Sequence, residues 1–135
     1  MKFKSPNKGA ITITQTYHGE KTKAPDTQCA IDIRAYPNTD FFSVCDGVVE
    51  KIDTQAGGYI SVVPTGGQFR VLYVHTDRFQ VRVGQKVTTG QLLGKIKAIP
   101  SAHLHFGLKW LGGGMPAPRP MDYFDRSIRF ISSAK

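Results

Sequence analysis

Apolar and polar residues alternate over short runs along most of the chain, which is typical of β-strands with one buried face. Helix signals are weak, because glycine and proline recur throughout. The chain therefore predicts an all-β protein, either a sandwich or a barrel, with many short strands. The predicted strands cover 10–17, 30–34, 42–44, 48–52, 59–63, 69–75, 91–96 and 103–110.

Glycine and proline also predict the turns between these strands. Residues 64–68, Pro-Thr-Gly-Gly-Gln, indicate a hairpin with a glycine-containing loop, and Cys45-Asp46-Gly47 indicates a second turn. Residues 116–120 form a stiff extended arm, because each proline fixes its own φ and restrains the preceding residue. Residues 121–124 begin a last helical turn. Without a repeat or linker, we expect one domain over 1–135, with its core at roughly 10–125.

The composition fits a globular, turn-rich chain: of 135 residues, 40% are hydrophobic and 14 are glycine. Two cysteines, Cys29 and Cys45, are too few for a disulfide framework, so we interpret them as small, partly buried side chains. No uncharged apolar window is long enough to span a bilayer, so no membrane span is expected. The basic N-terminus lacks the apolar stretch of a signal peptide.

The formal net charge of +8 favours encounters with polyanions, such as nucleic acid, teichoic acid or an acidic protein surface. The ordinary alternative is a solvated basic surface. No basic helix and no aromatic platform is predicted, so we do not expect a nucleic-acid-binding protein.

The candidate chemistry lies in the four histidines and one aspartate. His103 and His105 form a His-x-His pair on a predicted strand, so both imidazoles lie on one face, about 7 Å apart. His75 ends another predicted strand, and His18 follows the first. Asp32 lies between two isoleucines, where a carboxylate needs a cation, a metal or hydrogen bonds. Each residue alone has an ordinary structural interpretation, so the functional interpretation depends on their combination.

Three segments in a fixed order resemble the lysostaphin-like zinc peptidoglycan endopeptidases. In that family, His-x-Gly-x-Asp supplies two zinc ligands, Tyr-x-His a catalytic histidine, and His-Leu-His-Phe a second catalytic histidine and the third ligand. The matching segments are Gln28-Cys29-Ala30-Ile31-Asp32, Tyr73-Val74-His75 and His103-Leu104-His105-Phe106. Residues 44–49, 81–94 and 120–124 resemble the family's turn, hairpin and C-terminal Pro-x-Asp segment.

This resemblance runs from Ile11 to Phe124 and implies the family's duplicated hybrid motif fold. It also implies that Asp32 and His105 bind Zn²⁺, which accepts both carboxylate and imidazole ligands. His75 and His103 would be the catalytic acid/base pair when water activated by zinc attacks a peptide carbonyl.

The sequence departs from the family at the first zinc ligand, where Gln28 replaces histidine, and Ala30 replaces the usual glycine. A neutral amide oxygen is a poor zinc ligand beside imidazole. Three explanations are open. The site is degenerate in a domain that binds without cutting, or another residue completes it, or Gln28 binds zinc weakly. The best substitute is His18, followed by Cys29 and Asp26, although strand parity points Cys29 away from Asp32.

The function implied is peptidoglycan endopeptidase, with cell-wall peptides as substrates and specificity in the loops at 55–59 and 112–118. A short basic chain without a signal peptide indicates a phage lysis protein or a virion tail component, directed to the cell wall once released. The alternative is an inactive family member that binds virion tail or other proteins.

Two further classes share parts of the pattern. Lipoyl- and biotinyl-carrier domains contain a hairpin like 83–94, but the sequence has no Asp-Lys-Ala-like or Met-Lys-Met-like acceptor. Phosphate-relay domains of sugar transport use two facing histidines without metal, which would account for His75 with His103 or His105. The His-Leu-His-Phe segment and the C-terminal Pro-x-Asp favour the endopeptidase interpretation over both.

Overall fold

The computed structural model describes residues 2–18, 30–55, 57–114 and 117–132, and for 15–18 and 132 it describes the backbone only. These residues form eleven β-strands and a 3-10 turn at Pro120–Asp122. The strands are β1 (Ile11–His18), β2 (Ala30–Arg34), β3 (Asp40–Phe42), β4 (Gly47–Asp53), β5 (Tyr59–Pro64), β6 (Phe69–Val74), β7 (Thr76–Asp77), β8 (Lys86–Val87), β9 (Leu92–Ile96), β10 (His103–Trp110) and β11 (Phe130–Ser132).

The strands form two sheets. The larger sheet has the order β11-β1-β2-β10-β6-β5-β4-β8, and the smaller has the order β3-β9-β7. All pairs in the larger sheet are antiparallel except β1 with β11. The predicted all-β class is confirmed, and within the described residues both sheets are open rather than closed into a barrel.

The core lies on one face of the larger sheet, and strand alternation decides which side chains enter it. On β6, Val71 and Tyr73 are buried while Leu72 and Val74 are partly exposed on the opposite, outer face. On β10 the buried side chains are those of Leu104, Phe106 and Leu108. The two histidines of β10 therefore lie on the outer face, as the period of two predicts.

The N-terminal segment completes this core. Phe3, which precedes the predicted core, is fully buried. Its ring contacts Phe69 and Phe106 with centroids 6.2 Å apart in each case, and also Tyr123 at 5.7 Å and Phe124 at 5.8 Å. The Phe3 N–H donates to the carbonyl of Tyr123 at 2.6 Å. The two ends of the chain are thus held together by a buried aromatic cluster.

The long predicted strands are found close to their expected places, and β2 and β10 coincide with the prediction. The segment predicted at 42–44 instead forms β3 two residues earlier. The strand predicted to end at His75 ends at Val74, because the backbone of His75 turns away from the ladder. No membrane-spanning helix is found in the described part of the chain.

Cys45 is a free, buried thiol. Burial and the neighbouring Asp46 carboxylate raise its pKa to about 12, so it stays protonated and packs as a small apolar side chain. This agrees with the interpretation of Cys45 from the sequence. Cys29 lies outside the described residues, together with Gln28 and Asp26.

Candidate active site

Four of the predicted site residues meet at one end of the outer sheet face. Asp32 on β2 pairs with His105 on β10, and His105 pairs in turn with Val74, the last residue of β6. The outer-face parity of β10 places His103 beside them, and His75 follows Val74 directly. The strand order β2-β10-β6 thus brings together Asp32, His75 and His105, which are 30 to 73 positions apart in sequence.

The Asp32 carboxylate is the centre of this cluster and is buried. Its Oδ1 lies 3.1 Å from Nδ1 of His105 and 3.5 Å from Nε2 of His103. The ring of His75 lies 4.7 Å from that of His103 and 6.2 Å from that of His105, centroid to centroid. One buried oxygen and three imidazoles therefore share one small volume.

His103 is oriented by a backbone carbonyl. Its Nδ1 lies 2.9 Å from the carbonyl oxygen of Ser101, so Nδ1–H is the donor. In the neutral ring this leaves a lone pair on Nε2, the nitrogen nearest Asp32. That nitrogen can accept a proton and return it within the site.

His75 has a left-handed backbone with φ of 69°, which is uncommon for a residue with a side chain. Its N–H donates to the carbonyl of Gly58 at 2.9 Å, and its own carbonyl accepts from the N–H of Lys97 at 3.0 Å. Burial, and then the neighbouring His103 and His105, lower the pKa of His75 below its ordinary value. A neutral imidazole is therefore favoured there at neutral pH.

Gly58 is the residue that allows this arrangement, and substituting it tests that role. A Cβ at Gly58 would lie 2.4 Å from the carbonyl oxygen of Thr76, next to His75. Gly66 has a similar positive φ but nothing within 4 Å of an added Cβ, so Gly66→Ala is the matched control. Gly58→Ala is expected to lower the free energy of unfolding by about 1–3 kcal/mol more than Gly66→Ala.

Chemical denaturation measures this difference, and NMR of the histidine ring protons reports whether His75 moves. Equal destabilisation by the two substitutions, with unchanged His75 signals, would contradict a positioning role for Gly58.

Two grooves in the outer surface flank the cluster. One, of about 660 Å³, begins at His105 and Val74 and extends along β10, β6 and β5. The other, of about 550 Å³, is lined by Asp32 and His103 together with the turn that follows β2. An extended chain could therefore lie across the four residues and continue on both sides.

Asp32 and His105 supply a carboxylate and an imidazole, which are donor types that zinc accepts. In this structure the 3.1 Å between Oδ1 and Nδ1 is the length of an ordinary hydrogen bond. Within the described residues, no group of three His, Cys, Asp or Glu side chains is arranged to hold a metal. A third ligand would have to come from the undescribed part, which includes the side chain of His18.

Sequence reasoning missed the residues that orient the histidines. Ser101 fixes His103 through a carbonyl group, which every residue has, so its identity carries no signal. The buried Thr76 hydroxyl donates to the carbonyl of Tyr73 at 2.9 Å and tightens the turn that contains His75. Only the Gly57-Gly58 pair offered a sequence signal, because paired glycines indicate a tight turn.

Comparison with known proteins gives a family match. A model of peptidase family M23 matches residues 26–117. A curated relative, an uncharacterized metalloprotease from Haemophilus influenzae, is 30% identical over 82 residues, which are 56% of this chain. The match covers only 17% of the length of that relative.

Solved structures share the fold. Lysostaphin from Staphylococcus simulans has a TM-score of 0.66 at 20% identity, over 84% of this chain and 49% of its own. A mutant catalytic domain of the prophage-encoded M23 protein EnpA from Enterococcus faecalis has a TM-score of 0.68 at 21% identity. The match covers 88% of this chain and 96% of the EnpA domain. A zinc-containing peptidase from Vibrio cholerae has a TM-score of 0.66 at 21% identity. The match covers 89% of this chain and 41% of that peptidase. These matches confirm the lysostaphin-like fold.

Proposed function

Because the chain belongs to peptidase family M23, we propose that it is a zinc-dependent endopeptidase that cleaves peptide bonds in peptidoglycan. The observation that carries this proposal is the 3.1 Å contact between Asp32 and His105, with His103 and His75 beside it. The two flanking grooves support internal cleavage, since a chain lying across the cluster would extend on both sides of the cut bond.

In this proposal Asp32 and His105 would hold the zinc ion. When bound there, zinc supplies the Lewis acid that polarises the peptide carbonyl. His103 takes a proton from the attacking water at Nε2, since its Nδ1–H is occupied by the Ser101 carbonyl. It then delivers that proton to the leaving amine. His75, neutral because of its lowered pKa, donates a hydrogen bond to the developing oxyanion.

We further propose that His18 completes the metal site in place of the missing histidine at Gln28. The backbone of His18 pairs with Ala30, two residues before Asp32 on β2, so both chain segments adjoin the site. Gln28, Cys29 and Asp26 remain the other candidates.

Two substitutions test this ligand set. The protein is expected to bind about one zinc per chain, and His18→Ala is expected to remove it. If His18 is already a zinc ligand, Gln28→His should add little zinc affinity. Elemental analysis of the dialysed proteins, with competition by a zinc-chelating dye, measures both effects. Tighter zinc binding by Gln28→His, with no loss in His18→Ala, would instead support an incomplete native site.

A second candidate is an inactive module that binds cell walls or virion tail proteins. It is favoured by Gln28, which stands where the family has its first zinc-binding histidine. Release of soluble peptides from purified cell walls separates the two candidates. Intact walls and no zinc in the purified protein would rule out the endopeptidase and leave the binding role.

We also propose that the protein acts at the cell wall in a phage, as a lysis or tail-associated component. The similarity to the prophage-encoded EnpA domain supports this, since the chain spans 96% of that structure. Detection of the protein in purified virions by mass spectrometry would indicate the tail-associated role, whereas expression only before host lysis would indicate the lysis role.

A further inference from the structure

The groove on the Asp32 and His103 side of the cluster has an exposed aromatic ring in its wall. Its volume is about 550 Å³, and Tyr36 lines it together with Asp32 and His103. We call it the Tyr36 groove. Among the described residues that line it, only Asp32 is buried. The groove is therefore shallow, and a ligand lying in it keeps one side in water.

Tyr36 is the largest apolar side chain of this groove, and it is 64% exposed. The turn that carries it is fixed at several points. The carbonyl of Tyr36 accepts from the N–H of Thr39 at 3.3 Å and from its hydroxyl at 2.6 Å. The N–H of Asn38 donates to the carbonyl of Ile96 at 2.8 Å. Pro37 fixes its own φ and restrains the backbone of Tyr36. Because this backbone is already ordered, a ligand that contacts the ring orders little else on binding.

The rest of the lining combines apolar surface with hydroxyl groups. The remaining apolar residues are Ala35, Pro37, Ile99 and Ala102. Thr14 and Ser101 contribute hydroxyl groups. The Thr14 hydroxyl donates to the carbonyl of Asp32 at 3.3 Å and retains its lone pairs as acceptors. A flat ring beside hydroxyl groups complements a ligand with one apolar face and a polar edge.

A pyranose sugar has this distribution of groups. Its C–H groups form an apolar face, and its hydroxyl groups lie around the edge. It can stack on an exposed aromatic ring while its other side stays hydrated. A large apolar side chain would instead require a pocket that encloses it, and the exposed lining of the Tyr36 groove does not provide one.

Tyr36 is close enough to the catalytic cluster for one ligand to reach both. It follows Asp32 by four residues, which span at most about 14 Å. An extended peptide covers that distance with about four residues. In peptidoglycan, each stem peptide is joined at its N-terminus to a sugar of the glycan strand. A sugar at Tyr36 would therefore lie within reach of a bond cut in the stem.

From this geometry we propose that the Tyr36 groove is a saccharide subsite, in which the Tyr36 ring stacks on one face of a pyranose of the glycan strand. The hydroxyl groups of Thr14 and Ser101 bind the edge of that sugar. The subsite favours stem peptides that are still attached to glycan. It rests on the proposed function for the identity of the polymer, whereas saccharide binding is measured without any cleavage.

The test is an NMR titration of the full-length, ¹⁵N-labelled protein with a tetrasaccharide of N-acetylglucosamine. The amide signals of Tyr36, Asn38 and Ala102 are expected to shift most, because these residues line the groove or lie in the turn beside it. The tetrasaccharide is uncharged, so salt at about 0.5 M should leave its affinity unchanged.

Tyr36→Leu is expected to weaken saccharide binding about twofold to tenfold, the range for loss of one aromatic stacking contact. Tyr59→Leu makes the same change in the other groove and should retain the original affinity. Tyr36→Trp is the second variant in case leucine alters the turn, and its larger ring should bind the tetrasaccharide at least as tightly.

Unchanged signals at Tyr36, or equal affinities of Tyr36→Leu and Tyr59→Leu, would overturn the proposal. A capped leucine tetrapeptide that shifts the same signals at lower concentration than the saccharide would overturn it in favour of an apolar peptide subsite. Loss of wall cleavage with saccharide binding intact would contradict only the proposed function, and the reverse result would contradict only the subsite.

Discussion

Replacing His103 with alanine is expected to lower kcat for cell-wall hydrolysis by about a hundredfold to ten-thousandfold, the range for loss of a general acid/base. Nε2 of His103 lies 3.5 Å from the Asp32 carboxylate, and the Ser101 carbonyl fixes its ring. Zinc content should not change, because His103 is not among the proposed ligands.

His105→Ala is the informative partner of this variant. Its Nδ1 lies 3.1 Å from Asp32 Oδ1 and it is one of the proposed ligands, so its loss is expected to remove zinc as well as activity. Release of dye-labelled fragments from cell walls measures activity, and elemental analysis measures the metal. If His103→Ala retained more than a tenth of the activity, or lost zinc as His105→Ala does, the assigned roles would be wrong.

Phe3→Ala is expected to lower the free energy of unfolding by about 3–5 kcal/mol, the usual cost of deleting a buried phenylalanine. The ring is fully buried and contacts four other aromatic rings, two of them from the C-terminal segment. Its removal leaves a cavity and also loosens the attachment between the two ends of the chain. Such a loss is a large part of the total stability of a domain of this size.

Urea denaturation followed by tryptophan fluorescence measures this change, since the Trp110 ring lies 6.0 Å from that of Phe69 in the same cluster. Val83→Ala is the control, because Val83 is 58% exposed and its truncation should cost less than about 0.5 kcal/mol. A Phe3→Ala protein as stable as Val83→Ala would show that the N-terminal segment contributes nothing to the core.

The strands that were predicted well are those whose burial is visible in their own residues. β2 and β10 have isoleucines, leucines and phenylalanines at alternate positions, so their limits and outer faces follow from the period of two. β7 and β8 have two residues each and β11 three, which is too short for any period. These strands exist only because a partner strand lies beside them.

The candidate site likewise has one part that the sequence predicts and one part that it does not. The alternation in β10 placed His103 and His105 on one face, and the same rule placed Asp32 opposite the buried isoleucines. The turned backbone of His75, held by Gly58 and Lys97, could not be foreseen, because those hydrogen bonds come from chain segments seventeen and twenty-two positions away.

By itself the sequence determined the all-β class, the outer face on which the histidines lie, and the order of the motifs that mark the family. These follow from side-chain periodicity and residue identity, which are local properties. Only the tertiary structure decided that Asp32 and His105 touch, that the groove continues to Lys109 and Arg70, and that Phe3 belongs to the core. Strand order and register set these contacts, and they depend on packing energies summed over the whole molecule.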